Sequence, residues 1–202
     1  SVIAFNWLCR HKIPFTICPN VSIIENKNTI GDKVRFVVKY LQKSEIEEKF
    51  KNLLSNDEFS LLKKLGLKKF YKSFEINQLN FKIIFNDFFK NFEKEFEKFN
   101  KNKNYLDWAE ISNLSKISSI ASHGNNHDNF FYLDSDKIYN EMSSSKEIFY
   151  SKIKKNIQIF TVPYGEYNQN LGVMSNMAAR KLGYKQILWV GNQAIIYSGK
   201  HE

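Results

Sequence analysis

Two of the four histidines, His123 and His127, stand four residues apart in Ser122-His123-Gly124-Asn125-Asn126-His127. Neutral imidazole is a common zinc ligand, and if the segment forms one helical turn both rings project to the same side. Two surface histidines in a polar loop would have the same spelling, and a catalytic zinc usually takes a third protein ligand. A second candidate is Phe160-Thr161-Val162-Pro163-Tyr164-Gly165-Glu166-Tyr167-Asn168. Its proline and glycine fix a sharp turn, and the Tyr164 backbone N–H could then face a reacting carbonyl. An ordinary strand-to-helix turn would need the same residues.

The elements that must position these segments follow from periodicity. Short apolar runs at Phe15–Cys18, Ile117–Ala121, Ile157–Val162 and Ile187–Val190 predict strands. Each candidate segment follows one of them. Helices are predicted from Val2, Phe5, Leu8 and Cys9, and from Trp108, Ile111 and Leu114. Another has the face Ile138, Met142 and Phe149, capped by Asp134 or Ser135. The last has Leu171, Met174, Ala178 and Leu182, with Gly183 as its stop. Repeated strand–loop–helix units imply a parallel sheet or barrel with its chemistry at the C-terminal strand ends.

Between these parts, residues 26–105 have a different texture. Ser44 to Glu47 and Ser55 to Glu58 read as capping boxes, Gly66 as a helix stop, and Phe85, Phe88, Phe89, Phe92, Phe96 and Phe99 as one helical face. Residues 33–105 hold 17 basic and 10 acidic side chains, +7 of the net +9. The signs interleave, which reads as a solvated face on a helical insertion; a basic surface for an anionic glycan, lipid or nucleic acid is the other reading. No nucleic-acid-binding motif accompanies the charge, so no nucleic acid is expected as a partner.

The whole is 202 residues with 43% apolar and 25% charged side chains, the size of one domain carrying an insertion and outside the disordered and fibrous classes. No apolar run reaches the 18 residues of a membrane span. Residues 1–19 do not read as a signal peptide. Cys9 and Cys18 are too few for a disulfide framework and read as buried free thiols.

Taken in order, the motifs resemble the polysaccharide deacetylase family, the NodB-homology carbohydrate esterases. That family has Ser-His-Ser/Thr-x-x-His at one strand end, matched by Ser122 to His127, and Pro-Tyr/Phe-Gly at a later one, matched by Pro163-Tyr164-Gly165 with Asn168 beyond. Between them it has a helix with Glu and then Ser-Lys, matched by Glu141 and Ser145-Lys146. Leu182-Gly183-Tyr184 matches a later helix end. Trp7-Leu8 through Phe15-Thr16 looks like its first helix leading into its second strand. The resemblance covers about residues 1–25 and 106–190. It implies a single domain over 1–202: an α/β fold of the distorted (β/α) barrel type, built from 1–25 and 106–202, with 26–105 inserted.

The resemblance further implies a divalent metal, zinc being the expected one, held by His123 and His127. The Tyr164 backbone N–H, in the turn formed with Pro163 and Gly165, would stabilise the oxyanion. Trp189 would wall the acetyl-methyl pocket, unless it is a core tryptophan. The substrate would be an N-acetylated glycan of a bacterial surface polysaccharide or its precursor, and the location cytoplasmic or envelope-associated.

Several features depart from the family. Its Thr-Phe-Asp-Asp-Gly motif, the source of the base and the third ligand, would lie just before residue 1, so the chain reads as incomplete at its N-terminus. Gly124 replaces a Ser/Thr, Asp128 replaces a Pro, and Thr161 stands where one branch has Arg. Asp128 adjoins His127 and would need a distorted loop to serve as a ligand. The late Leu-x-His motif is not visible, and His201 reads as surface. The rival reading is a non-catalytic module on a decayed deacetylase fold, holding glycan or an acidic partner through the basic insertion.

Overall fold

The computed structural model describes residues 2–25, 29–73, 78–100, 105–165 and 168–189. The chain divides into two compact units, Ser1–Lys27 with Tyr105–Glu202, and Asn28–Asn104. The first opens with α1 (Val2–Arg10), β1 (Thr16–Ile17) and α2 (Val21–Ile24). The second holds α3 (Ile30–Tyr40), α4 (Lys43–Phe50), α5 (Asn56–Leu65), α6 (Leu67–Phe70), α7 (Gln78–Phe89) and α8 (Glu93–Asn100). The first then resumes with α9 (Trp108–Leu114), β2 (Ser119–Ser122), α10 (Ser135–Ile153), β3 (Ile159–Thr161), α11 (Gln169–Leu182) and β4 (Gln186–Leu188).

The four strands form one parallel sheet in the order β1-β2-β3-β4. The expected α/β class and parallel sheet are present. The expected barrel is not: the sheet is open among the described residues. Because the strand order never reverses, the sheet has no topological switch point, and the C-terminal strand ends line one edge. Ile17, Ile120, Ala121, Phe160 and Ile187 are buried on the strands, and Ile138, Met142 and Phe149 on α10. The Phe160 ring stacks on Phe130 at 5.6 Å and meets Tyr184 edge-on at 5.5 Å.

The helical unit has its own core. Phe36, Phe50, Phe70, Phe85 and Phe89 are each 1% exposed or less. Phe36 alone meets Phe89, Phe96 and Phe99 edge-on within 6.0 Å, a geometry the aromatic quadrupole favours. The stripe from Phe85 to Phe99 is not one continuous α-helix: a 3-10 turn at Lys90–Phe92 joins α7 to α8. The Ser55 box forms, its hydroxyl accepting the Glu58 N–H. The Ser44 box does not, because the helix starts earlier, at Lys43, and Glu45 accepts the Gln42 N–H at 2.7 Å instead. Contrary to expectation neither cysteine is buried; Cys9 is partly covered and Cys18 exposed. No helix among the described residues is long and apolar enough to cross a membrane.

Candidate active site

His123 is the first residue beyond β2, and its neighbour across the parallel ladder is Thr161, the last residue of β3. His123 Nδ1 lies 2.9 Å from the Thr161 carbonyl oxygen and 2.8 Å from its hydroxyl. A carbonyl oxygen only accepts, so Nδ1 carries the proton and Nε2 the lone pair. The Thr161 hydroxyl donates to the Ser122 carbonyl at 3.2 Å, which leaves its own lone pair for the ring. This is how a ligating histidine is commonly oriented from behind. Burial holds the His123 pKa below its usual 6.5, partly opposed by the Thr161 hydrogen bond. The ring is therefore kept neutral, the form a metal needs.

The expected helical turn between the histidines is absent; residues 123–127 form an irregular loop. The rings converge all the same, with centroids 4.8 Å apart at 76°. Left-handed backbone brings this about, at Gly124 (φ 79°) and at His127 (φ 59°). The latter is uncommon for a non-glycine residue, and such strain concentrates at functional sites.

Three groups hold the loop. Glu141, buried on α10, accepts the Asn125 and Asn126 N–H groups at 3.0 and 2.9 Å and the Asn126 side-chain amide at 2.6 Å. Burial raises its pKa, against which these donors act; the nearby Asp128 charge adds to the rise. From the other side, Asn20 Nδ2 donates to the carbonyls of His123 and Gly124 at 3.0 and 2.9 Å. The first amides of α2 also reach the loop, Val21 N–H to Gly124 O at 3.2 Å and Ser22 N–H to Asn125 O at 3.0 Å. Beneath it, Ser122 Oγ donates to Ser145 Oγ at 2.7 Å, and Ser145 Oγ and Tyr184 OH both donate to the Met142 carbonyl at 3.0 Å. Burial pushes the Tyr184 hydroxyl pKa up to about 12, so it remains a donor.

Gly124, one of the residues that depart from the family pattern, has a local cause. A Cβ there would sit 3.0 Å from Glu141 Oε2 and 3.5 Å from Pro163 Cγ, at a φ that side chains rarely adopt. Gly124→Ser is expected to destabilise the protein by about 1–2 kcal/mol. A thermal melt checks it; an unchanged midpoint would show that the loop yields freely.

The second segment lies opposite. Tyr164 has φ 63° and Gly165 φ 71°, and the Tyr164 ring meets His127 at 5.1 Å, 62° from parallel. Asn168 caps α11, its Oδ1 accepting the Leu171 N–H at 2.9 Å. Pro163 is thus beside the histidine loop and Tyr164 against His127. Trp189 directly follows β4 at the same sheet edge and is half-buried. Glu166, Tyr167 and His201 lie outside the described residues.

The pair fits two ligands of a small divalent cation, with nitrogen bonds of about 2.0–2.1 Å. Among the described residues no third His, Cys, Asp or Glu joins them in a set able to hold a metal. Sequence reasoning passed over Asn20 and Thr161 as positioning groups and matched Glu141 without giving it a role. An Asn following Pro at the head of Val21-Ser22-Ile23-Ile24 was a readable cap signal for the first; Thr161 has none, because its role depends on strand register.

Burial of a neutral ring has a pH signature. A depressed folded pKa means the unfolded chain binds the proton first. The stabilisation is therefore full above about pH 6.5 and is lost as pH falls through the lower folded value. Urea midpoints for the protein and for His123→Gln between pH 8 and 5 are expected to converge toward acid. A constant gap would mean the ring is not buried neutral.

A search of curated proteins returns no match. Among solved structures, the chain is similar to a de-N-acetylase from Aggregatibacter actinomycetemcomitans, with 18% identity and a TM-score of 0.35 over 44% of this chain and 43% of that one. It is similar to the BpsB deacetylase domain from Bordetella bronchiseptica, with 13% identity and a TM-score of 0.35 over 45% and 44%. It is also similar to the Streptococcus pyogenes deacetylase PplD in complex with acetate, with 14% identity and a TM-score of 0.41 over 89% and 83%. The chain thus spans less than half the length of the first two. The family model for polysaccharide deacetylase matches residues 94–187, a stretch containing both histidines and the Pro163-Tyr164-Gly165 turn. The resemblance read from the motif order therefore holds over this stretch, which is similar to the polysaccharide deacetylase family.

Proposed function

We propose that the protein is a metal-dependent hydrolase that removes N-acetyl groups from an amino-sugar polysaccharide or its precursor. The carrying observation is the convergence of His123 and His127 within 4.8 Å, on a strand end inside the family match. A divalent cation, zinc by the donor set, would when bound acidify a water and polarise the acetyl carbonyl. His123 and His127 would hold it through ring nitrogens, His123 through Nε2 because Nδ1–H is committed to Thr161. The Tyr164 backbone N–H, in the turn set by Pro163 and Gly165, would donate to the developing oxyanion. Trp189 would shield the acetyl methyl from water. The family resemblance assigns the third ligand and the proton-accepting base to an Asp-Asp motif ahead of residue 1. The 202-residue chain is accordingly expected to bind zinc weakly and to turn over little. Joining a Thr-Phe-Asp-Asp-Gly segment upstream should give metal-dependent acetate release from an N-acetylated oligosaccharide. Zinc binding indifferent to both histidines would overturn the reading.

A further inference from the structure

The positive charge of the helical unit is less evenly mixed than its composition suggests. Lys63, Lys64, Lys68, Lys69 and Lys72 fall within ten residues, and no Asp or Glu occurs from Phe59 to Ser73. They occupy the C-terminal end of α5, the short α6 and the turn after it, and all five are exposed. None has an ion-pair partner among the described residues. Two contact aromatic faces, Lys63 over Phe59 at 5.9 Å and Lys72 over Tyr71 at 5.6 Å, which leaves their charge uncancelled. Elsewhere in the unit Arg35 is paired with Asp32, Lys43 with Glu47 at 3.6 Å and Lys90 with Asp87 at 2.8 Å, and no other stretch packs five lysines into ten residues without an acid. Helix C-termini favour ammonium groups, which explains how the five coexist. It does not use up their attraction for an external anion.

We propose that this lysine cluster binds an anionic polysaccharide, one carrying repeated carboxylates or phosphates. The choice of a glycan over other polyanions rests on the proposed deacetylase function and on what the cluster lacks. No large apolar or aromatic side chain between Ser55 and Ser73 is exposed. Phe59, Leu61 and Leu65 are only partly exposed and pack against the helical core, so the stretch offers no open aromatic platform for a base and no apolar face for a lipid layer. The cluster also holds no arginine, the residue suited to planar bidentate recognition of phosphates and bases. Five point charges on flexible stems suit a hydrated polymer whose anions recur along its length. Holding such a polymer raises the local concentration of its acetylated residues, and a tether does this without a fixed geometry between the units.

The test uses the full chain and a fluorescent carboxylated polysaccharide, with duplex DNA and anionic phospholipid vesicles matched in charge concentration. Three variants carry five substitutions each: Lys→Gln at the five cluster positions, Lys→Arg at the same five, and Lys→Gln at Lys94, Lys98, Lys116, Lys152 and Lys181. The first and third have equal net charge. The expected result is polysaccharide binding at low salt, weakened at least about tenfold in the first variant with a shallower salt dependence. The second should bind like the parent and the third within about twofold of it. Equal losses in the first and third, no binding at low salt, or tighter binding to DNA or vesicles would overturn the proposal. Failure of the deacetylase reading is separately visible. Acetate release from a short neutral oligosaccharide, measured on the chain joined to the upstream Thr-Phe-Asp-Asp-Gly segment, depends on His123 and His127, whereas polymer binding should survive their replacement by alanine.

Discussion

Changing His123 or His127 to alanine is expected to weaken zinc binding by more than about 100-fold, beyond the span usual for residues that only support a ligand. In the chain joined to the upstream Thr-Phe-Asp-Asp-Gly segment, acetate release should fall with it. The loss follows from the geometry: the two rings are 4.8 Å apart, and no third candidate ligand joins them among the described residues, so nothing there compensates for either. Isothermal titration with zinc is the direct readout, because it requires no turnover. His11→Ala is the control, since that ring lies exposed on a helix end, stacked on Trp7 at 4.2 Å. Equal affinity in all three variants would remove the metal, and the hydrolase with it.

Glu141→Ala is expected to produce the second-largest effect, and through a different route. The carboxylate accepts the two backbone amides that lie between the histidines and the Asn126 side chain. Its removal leaves those amides without their acceptor, at about 1–3 kcal/mol for each that stays buried. It also frees the peptide that sets the distance between the rings. We expect a stability loss of about 3 kcal/mol and a 10–100-fold fall in zinc affinity. Glu141→Gln keeps one acceptor oxygen but turns an N–H donor toward Asn126, so it should recover part of the stability and little of the affinity. Chemical denaturation and zinc titration on the same samples separate the two effects. Full zinc affinity in Glu141→Ala would mean that the loop keeps its shape without the clamp.

Much of the site was legible before the fold was. Motif order placed Ser122 to His127 and Pro163 to Gly165 at the ends of strands in one parallel sheet, because short apolar runs and capped helices alternate plainly in that half of the chain. Asp134 opens α10 and Gly183 closes α11, where their chemistry says they should. The path of the loop was not legible. Spacing alone suggests a helical turn for residues 123–127, but left-handed backbone at Gly124 and His127 reaches the same convergence in irregular chain. That choice is enforced from Glu141 and Asn20, distant in sequence. In the sequence Thr161 shows only what it replaces in the family; its partnership with His123 depends on which residues face each other across β2 and β3. The lysine cluster is visible only over ten residues, because acids elsewhere in residues 33–105 balance most of the stretch's charge.

One contact sets how freely the helical unit can vary in length. Asn20 reaches the carbonyls of His123 and Gly124 across 103 and 104 positions, so the intervening chain is a closed circuit fastened at the histidine loop. The entropy of closing such a circuit grows only with the logarithm of its length, about 0.6 kcal/mol per doubling. Expansion or erosion of the helical unit therefore leaves the fastening nearly undisturbed. That unit can be lengthened or trimmed while the histidine loop keeps its fastening.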